Sequence, residues 1–475
     1  HITRRIPLFE GKKLLGEEER YMISFDEYIK KFNALMTKYF PSRKEWTPSD
    51  DALYKPKDLF RIPLKEAEKL KFKAIKYIFK HHYDKNKFYR SYCKENKIKP
   101  DDIKSIDDFD KIPLIPDKFF KDYPHGREFA LWLSGLFTTD IPDIVIGKKN
   151  PSFDDVINDF NAAGLAVSYS SGTSGRHTFI PRDKRTFYAS EYALAKCAVT
   201  MTYPVWKYEL NGYLLMPNPF KTNLYAGKVT MIYFDLVKNI EVAIDREITT
   251  ELIRATMSGS RSLKTTLIRW AAKREHEKMI QRIIRWLGEM EKKKEDIVFV
   301  GAPYILYFVM EKLKERGLTF SFGDGSGVIT GGGWKIHEDK RISVEEFRKQ
   351  VKEIIGIPEE NCLDVYGMVE GNGWMVHCRE GHYLHVPYSY FHPLVLDKEL
   401  KPVGYGEWGR FAFLDGVAYS YPGFIISGDQ VRLLEHCPVC DRPGPVLEPE
   451  IRRAKGEEIR GCAEELRRMI AADVR

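Results

Sequence analysis

Apolar and polar positions along the chain follow two patterns, one typical of helices and one typical of buried strands. Between residues 63 and 97 the apolar residues lie near one stripe of a helix, at Ala67, Leu70, Phe72, Ile75, Ile78 and Phe79. Further helices are predicted at residues 183–203, 249–257, 264–292, 302–316 and 343–355. Short apolar runs predict strands at residues 164–169, 212–217, 228–234, 296–301, 327–330 and 362–367. Because strands alternate with helices, we expect βαβ units and a mainly parallel sheet.

The pattern changes toward both ends, which divides the chain into four predicted segments. Residues 1–60 are polar, aromatic and irregular, and we interpret them as an N-terminal extension. Residues 61–372 carry the alternating pattern and form the predicted α/β core. Short strands and turns then predict a β-rich subdomain over residues 373–435, followed by a cysteine-containing C-terminal segment over residues 436–475.

The composition is that of an ordinary globular protein. The chain has 475 residues, of which 43% are hydrophobic and 30% charged, and this excludes global disorder and a collagen-like chain. The net charge of +8 suits an anionic substrate or an acidic partner and does not favour nucleic acid. No apolar stretch is long enough to cross a bilayer, and the start shows no signal peptide. We therefore expect a cytoplasmic protein without a transmembrane segment.

Residues 261–294 form a basic amphipathic pattern with eleven Lys and Arg residues against four Glu. Trp270, Ile283, Trp286 and Leu287 supply its apolar side. Such a helix can contact a membrane or an acidic partner, but a solvated helix with one buried face has the same pattern. The second interpretation is favoured.

The seven cysteines are an odd number and four lie in the last hundred residues, which favours reduced thiols or metal ligands over disulfides. Cys437 and Cys440 are spaced to span one edge of a tetrahedral Zn²⁺ site. Cys378 and His385 are the expected second pair, with His382 as the alternative histidine. The sequence thus predicts a structural zinc site, and thiols packed as small apolar groups are the alternative.

A loop rich in hydroxyl groups and glycine follows the strand predicted at residues 164–169. It consists of Ser170, Ser171, Gly172, Thr173, Ser174 and Gly175. Glycines allow tight turns in which successive N–H groups converge on an anion, and the hydroxyl groups add donors for phosphate oxygens. The loop lacks the Gly-Lys-Ser/Thr of a Walker A motif. A flexible linker is the alternative, and a strand before the loop with a helical pattern after it argues against a linker.

Three further motifs follow strands in the second half of the chain. Gly331, Gly332 and Gly333 follow an apolar strand, where a flat ligand can approach the backbone closely. A second motif places Asp364, Tyr366, Gly367 and Glu370 at the next strand end, and a third runs from Ser427 through Asp429 to Arg432. Each motif alone is also compatible with an ordinary turn. Their order along the chain is the informative feature.

This ordered set resembles the adenylate-forming superfamily of acyl-CoA synthetases and related ligases. The Gly-Gly-Gly-Trp-Lys run at residues 331–335 and residues 453–462 are similar to the acyl-protein synthetase family of bacterial luminescence, which is related to phenylacetate–CoA ligases. The resemblance covers roughly residues 60–465. It implies the large-domain fold of adenylate-forming enzymes, within the α/β class. Too few residues follow Asp429 for the full mobile C-terminal domain of most such enzymes.

The resemblance implies a role for each matching residue. Residues Ser170 to Gly175 would hold the β- and γ-phosphates of ATP. Glu370 would bind Mg²⁺, which prefers oxygen ligands. Asp429 would accept hydrogen bonds from the ribose hydroxyl groups. The adenine would be lined by Gly331, Gly332, Gly333, Asp364, Tyr366 and Gly367, with Arg432 and Arg453 near phosphate or ribose. Phenylacetate-ligase-like sequences also have a similar Cys and His pattern, which supports the zinc prediction.

The implied reaction converts a carboxylate into an acyl-adenylate, with release of pyrophosphate, and passes the acyl group to a thiol. Cys462 is the candidate thiol, because it precedes a predicted helix and lies beside Arg460 and Gly461. A helix N-terminus and a nearby cation favour the thiolate. An incidental exposed cysteine is the alternative.

We therefore expect an ATP-dependent enzyme, with Mg²⁺ and a structural Zn²⁺, that activates a carboxylic acid, most simply a fatty acid. The acyl group would pass to Cys462 and then to a partner acyl-CoA or acyl-protein reductase. A CoA ligase, in which free CoA is the acceptor, is the leading alternative, and an enzyme that forms amides with amino acids is another. A non-catalytic nucleotide-binding subunit is disfavoured because Glu370, Asp429 and the loop at residues 170–175 are intact.

Overall fold

The computed structural model describes residues 23–172, 176–204, 208, 210–257, 263–381 and 383–454. Within this part of the chain the helices and strands alternate from residue 153 to residue 366, and strands predominate afterwards. Among the described residues, no helix has the length and apolar character needed to span a bilayer.

Most of the described helices lie in the first half of the chain. They are α1 Phe25–Leu35, α2 Pro48–Tyr54, α3 Leu64–Lys85, α4 Lys87–Glu95, α5 Arg127–Leu136, α6 Phe153–Ala162, α7 Lys184–Thr202, α8 Tyr225–Lys228, α9 Tyr233–Leu236, α10 Thr250–Met257, α11 Leu263–Lys293, α12 Pro303–Arg316 and α13 Val344–Ile355. The boundaries follow local chemistry, as α13 shows. Ser343 caps its first turn by accepting the Glu346 N–H, and Gly356 ends it in the left-handed conformation at φ 78°.

The described strands begin in the N-terminal third and dominate the C-terminal part. They are β1 Ile115–Pro116, β2 Ala166–Tyr169, β3 Phe179–Arg182, β4 Asn211–Pro217, β5 Asn239–Ile244, β6 Ile297–Gly301, β7 Gly327–Gly331, β8 Cys362–Tyr366, β9 Met375–His377, β10 Leu384–His385, β11 Phe391–Leu396, β12 Trp408–Asp415, β13 Phe424–Leu434, β14 Val446–Leu447 and β15 Arg452–Arg453. β2 and β3 form a separate antiparallel hairpin.

One large sheet organises the described part of the chain, and it changes from parallel to antiparallel along its width. The order is β5-β4-β6-β7-β8 on the parallel side and β9-β10-β14-β13-β12-β11 on the antiparallel side. β8 and β9 join the two sides in antiparallel pairing. β1 runs parallel to β13, and β15 pairs antiparallel with it. The mainly parallel α/β core and the β-rich continuation predicted from the sequence are both present. The domain boundaries remain predictions.

The apolar run at residues 228–234 is not a strand, contrary to the prediction. It lies in the short helices α8 and α9 and in the 3-10 turn Val229–Ile232 between them. Tyr233 and Ile232 are fully buried there, so the apolar run fills the core from helical turns. A short apolar run fits a buried helix as well as a strand, and length alone did not separate the two.

The described part of the predicted N-terminal extension, residues 23–60, contains helices and is not irregular throughout. α1 and α2 place Tyr28, Phe32 and Leu53 in the core, each with no more than 1% of its surface exposed. The ring of Phe32 lies 5.4 Å from that of Tyr192 in α7. The described residues before position 60 therefore belong to the same hydrophobic core as the sheet.

The basic pattern of residues 261–294 lies largely in α11. In its second half, Met279, Ile283 and Leu287 are buried, whereas Lys278 and Arg285 are exposed. The described side chains thus agree with a solvated helix that has one buried face.

Candidate active site

The first part of the site lies at the carboxyl ends of the neighbouring parallel strands β7 and β8. Thr330 and Asp364 face each other in this pair, and the Thr330 hydroxyl donates a hydrogen bond to Asp364 Oδ1 at 2.8 Å. Burial raises the pKa of Asp364 to about 6, although the Thr330 hydrogen bond acts in the opposite direction. Gly332 and Gly333 continue the chain at φ 80° and 66°, which other residues rarely adopt. The result is an open backbone turn beside a half-buried carboxyl group.

The second part joins three residues from three separate sequence motifs. The Tyr366 hydroxyl at the end of β8 donates to Asp429 Oδ2 at 2.7 Å. Arg453 in β15 approaches Asp429 Oδ1 with Nη1 at 2.8 Å. Burial raises the pKa of Tyr366 well above its usual range, and the Asp429 charge raises it further. The phenol therefore remains a hydrogen-bond donor, and both Asp429 oxygens are held in place.

Glu370 lies in the turn after β8 and is only 8% exposed. Burial raises the pKa of its carboxyl group, and the nearby Lys121 partly offsets this effect. The turn itself requires glycine at position 367, because a Cβ there would lie 2.5 Å from the Trp374 ring. Glu370 is thus a buried carboxylate on a tightly packed turn.

The glycine-rich loop lies between β2 and β3, the two strands of the hairpin. A strand, and not a helix, is therefore the next element after the loop. Ser170 and Thr178 bridge its base: the Thr178 N–H donates to Ser170 Oγ at 2.9 Å, and the Ser170 N–H donates to the Thr178 carbonyl at 3.0 Å. Gly172 has φ 68°, and a Cβ at this position would lie 2.9 Å from Nδ1 of His177. Ser171 belongs to the described part of the loop, whereas Thr173, Ser174 and Gly175 lie outside the described residues.

Arg432 lies apart from the Asp429 carboxylate, although both are on β13. They are three positions apart on the strand, so their side chains leave opposite faces. Arg432 forms an ion pair with Glu448 at 3.0 Å and donates from Nε to the Gly406 carbonyl at 2.5 Å. Of the two arginines predicted near the nucleotide, the structure therefore places Arg453 against Asp429 and holds Arg432 elsewhere.

Some residues beside the site carry no motif in the sequence. β1 runs along β13, which brings Asp117 close to Gly428: a Cβ on that glycine would lie 3.1 Å from Asp117 Oδ2. Asp117 in turn pairs with Lys121 at 2.5 Å. These residues are more than 300 positions from Gly428 in the chain, and no local pattern signals their approach.

A second cluster brings together the four predicted zinc ligands. Cys378 follows β9, His385 lies in β10, and Cys437 and Cys440 lie in the turn between β13 and β14. Their ligand atoms all lie within 4.8 Å of one another. Cys440 Sγ lies 3.3 Å from His385 Nε2, and Cys378 Sγ lies 4.0 Å from Cys437 Sγ. His382, the alternative histidine, and Cys462, the predicted thiol, lie outside the described residues.

Comparison with solved structures identifies the fold. An open conformation of 2-hydroxyisobutyryl-CoA ligase in complex with 2-HIB-AMP and CoA matches with a TM-score of 0.57 at 16% identity, over 88% of this chain and 82% of that chain. The same ligase in the thioesterification state matches with a TM-score of 0.56 at 17% identity, over 87% and 73%. The fold is that of the adenylate-forming ligases, which confirms the predicted fold class.

Comparison with protein families and sequences is more specific. The chain belongs to the family described as acyl-protein synthetase, LuxE, whose model matches residues 43–127 and 257–471. It is an acyl-adenylate-forming ligase, as the resemblance predicted. The long-chain-fatty-acid–luciferin-component ligase of Vibrio harveyi is 26% identical over 404 residues, which cover 84% of this chain and 88% of the relative. The corresponding ligase of Aliivibrio fischeri is 25% identical over 414 residues, covering 86% and 91%.

Proposed function

We propose that this protein uses ATP to activate a long-chain fatty acid as an acyl-adenylate and transfers the acyl group to a cysteine thiol. The observation that carries the proposal is the convergence of Tyr366, Asp429 and Arg453 beside the turn that bears Glu370. Three motifs that are far apart in the chain thus form one polar site at the carboxyl ends of the strands, where ligands bind in open α/β sheets. The names of the two relatives supply the substrate class.

The polar groups of the site match the parts of ATP. Asp429 is a fixed acceptor for the ribose hydroxyl groups, and Arg453 is a cation within reach of ribose or phosphate because its side chain is 72% exposed. The open turn at Gly331–Gly333 and the strand edge at Asp364 suit a flat adenine ring. Ser170, Ser171 and Gly172 begin a loop whose N–H and hydroxyl donors suit the β- and γ-phosphates.

Glu370 fits a magnesium ion, because a carboxylate oxygen is the ligand type that Mg²⁺ prefers and phosphate oxygens can complete the shell. The ion would supply positive charge where two anions, the fatty acid carboxylate and the triphosphate, must approach each other. The raised pKa of Glu370 shows that burial disfavours its charge, and a bound cation would relieve that cost.

The reaction has two steps. In the first, a carboxylate oxygen of the fatty acid attacks the α-phosphorus of ATP, and the bond from that phosphorus to the bridging oxygen breaks to release pyrophosphate. In the second, a thiolate attacks the carbonyl carbon of the acyl-adenylate, and the carbon–oxygen bond to AMP breaks. The products are AMP and a thioester.

Cys462 is the proposed acceptor, on the strength of its sequence context beside Gly461 and Arg460. A reductase would then be the partner that takes the acyl group from the thioester. Transfer to free CoA is the second candidate, because one of the similar solved structures is a CoA ligase.

Intact-protein mass spectrometry separates the two acceptors. The protein is incubated with ATP, Mg²⁺ and a panel of carboxylic acids of increasing chain length, and AMP, pyrophosphate and protein mass are measured. We expect acid-dependent AMP and a covalent acyl mass that hydroxylamine removes. Cys462→Ala should keep pyrophosphate formation and lose the acyl mass, whereas Cys93→Ala, a change at a buried cysteine, should keep both. The assay is repeated with added CoA, and full acyl-CoA formation by Cys462→Ala would then make the protein a CoA ligase.

We further propose that Cys378, His385, Cys437 and Cys440 hold one structural Zn²⁺. Three thiols and one imidazole are a common donor set for tetrahedral zinc, and their ligand atoms are already clustered. The backbone supports the cluster, since the Cys440 N–H donates to Cys437 Sγ at 3.5 Å. Zinc there would join the β9–β10 turn to the β13–β14 turn.

A further inference from the structure

Side chains from other parts of the chain bond to the backbone of the turn that carries Glu370. The carbonyl groups of four consecutive residues, Val369 to Asn372, each accept a hydrogen bond from a side chain. Arg182 Nη2 donates to the Val369 carbonyl at 2.6 Å, and the Tyr421 hydroxyl donates to the Glu370 carbonyl at 2.9 Å. The donors come from β3, from α8, from the segment before β11 and from the segment before β13.

The next two carbonyl groups complete this arrangement. The Gly371 carbonyl accepts from the Tyr225 hydroxyl at 3.2 Å and from Arg182 Nη2 at 3.3 Å. The Asn372 carbonyl accepts from the Tyr390 hydroxyl at 3.2 Å. A backbone turn with all these acceptors occupied cannot shift without losing several buried hydrogen bonds at once.

Arg182 is the central member of this set. Its side chain is fully buried, and its guanidinium carbon lies 4.5 Å from the centre of the Tyr225 ring. Besides the two carbonyl groups it contacts Asn372, with Nε donating to Oδ1 at 3.1 Å. One rigid planar group therefore fixes both neighbours of Glu370 and the residue two positions after it, which a lysine ammonium cannot do.

Asn372 links the buried guanidinium of Arg182 to a buried carboxyl group, that of Asp415. Both the backbone N–H and the side-chain amide of Asn372 donate to Asp415 Oδ2, at 2.7 and 2.8 Å. Asp415 is fully buried as well. Asn372 thus stands between a buried cation and a buried carboxylate, and the three side chains form a connected network beneath the turn.

We propose that Arg182 is a positioning residue, which fixes the Glu370 carboxylate for Mg²⁺ by clamping the backbone on both sides of it. Mg²⁺ requires near-ideal geometry, so its affinity depends on how firmly a ligand is held, and residues behind a ligand commonly change metal affinity about 10- to 100-fold. This inference rests on the proposed function, in which Glu370 holds the metal ion. Arg182 is the last residue of β3, the strand that follows the glycine-rich loop, so this strand supports both the loop and the Glu370 turn.

The test compares Arg182→Lys with Arg185→Lys. Arg185 is a nearby arginine that pairs with Asp50 at 2.6 Å and does not take part in the clamp. We expect Arg182→Lys to raise the Mg²⁺ concentration for half-maximal pyrophosphate formation about tenfold or more. The KM for the fatty acid and the rate at saturating Mg²⁺ should change far less. Arg185→Lys should leave the Mg²⁺ dependence unchanged.

Two further measurements separate positioning from general stability and from the proposed function. Mn²⁺ binding in the presence of ATP, followed by electron paramagnetic resonance without any acid, should weaken in Arg182→Lys and in the milder Tyr421→Phe. In a Glu370→Gln background, Arg182→Lys should add no further loss of Mn²⁺ affinity. An unchanged metal dependence in both variants, or an equal loss with and without Glu370, overturns the inference. A wild-type protein that binds Mn²⁺ with ATP but forms no pyrophosphate with any acid overturns the proposed function instead.

Discussion

Two fully buried cationic side chains among the described residues, Arg182 and Lys196, donate hydrogen bonds to backbone carbonyl groups. Arg182 clamps the turn at Val369–Asn372 in this way. Lys196 in α7 is fully buried and donates from Nζ to the carbonyl groups of Leu53 and Tyr54, at 3.0 and 3.4 Å. These carbonyl groups end α2, where the helix dipole favours a donor. Burial is the largest influence on the ionisation of this amine, and it lowers the pKa of Lys196 to about 7.

The lowered pKa of Lys196 predicts a specific pH dependence of the free energy of unfolding. Between pH 7 and about 10 the unfolded chain protonates this amine and the folded chain does not, so the free energy of unfolding rises with pH. One such group contributes about 1.4 kcal/mol per pH unit. Lys196→Met should make the pH profile of urea unfolding shallower by about that amount between pH 7.5 and 9.5.

Lys184→Met is the control for this experiment, because Lys184 is exposed on the same helix. Its pH profile should match that of the wild type. If Lys196→Met also has the wild-type slope, the amine carries a proton in the folded state and its hydrogen bonds to Leu53 and Tyr54 offset the cost of burial.

At the scale of elements, the short strand β15 completes the proposed nucleotide site by lying against β13. Arg453 faces Asp429 across this pair, and Arg452 faces Gln430. Arg452 turns to the other side, where it forms two hydrogen bonds with Glu450 at 3.0 Å and stacks on Trp408. The two adjacent arginines thus contact different groups. Mutation of Arg452 is therefore a matched control for mutation of Arg453.

We expect Arg453→Ala to raise the KM for ATP between about 3- and 10-fold, which corresponds to the loss of one charge-assisted contact in a solvent-exposed setting. Arg452→Ala should leave the KM for ATP within about twofold of the wild-type value. Pyrophosphate release at several ATP concentrations measures both variants. Equal effects of the two changes would mean that net positive charge, and not the Asp429 contact, accounts for the role of Arg453.

The two turns that hold the cysteine and histidine cluster meet because β14 pairs with both β10 and β13. We expect purified protein to contain one Zn²⁺ per chain. Cys437→Ser should lose the metal and lower the free energy of unfolding, since metal binding is linked to folding. Cys197→Ala, at a fully buried cysteine outside the cluster, should keep the metal. Elemental analysis decides the outcome, and metal-free wild-type protein would contradict the zinc proposal.

At the scale of the whole molecule, the N-terminal helices are part of the core. Phe32 has no exposed surface, whereas Leu35 on the same helix is 42% exposed. Removing the Phe32 side chain leaves a cavity against Tyr192, so Phe32→Ala should lower the free energy of unfolding by about 3–5 kcal/mol. Leu35→Ala should lower it by about 1 kcal/mol or less. Denaturant unfolding measures both, and equal small effects would mean that α1 unfolds separately from the rest.

Much of the fold was predictable because its central strands are locally simple. β4, β6, β7 and β8 are short apolar runs bounded by glycine or polar residues, as buried parallel strands require. The glycine at position 356 and the serine at position 343 likewise mark the ends of α13 in the sequence. The segment at residues 228–234 was mistaken for a strand because its apolar run is too short to show a period.

The amino-acid sequence alone determined which chemical groups the candidate site contains, since motifs at strand ends carry the donors and carboxylates. The spacing of Cys437 and Cys440 likewise specified half of the proposed zinc site. Only the tertiary structure decided how these groups are held. Arg182 meets Val369 and Gly371 across 187 and 189 positions of the chain, and Asp117 meets Gly428 across the β1–β13 pair. Such contacts depend on the register and order of the strands, and a local pattern of apolar and polar residues does not encode them.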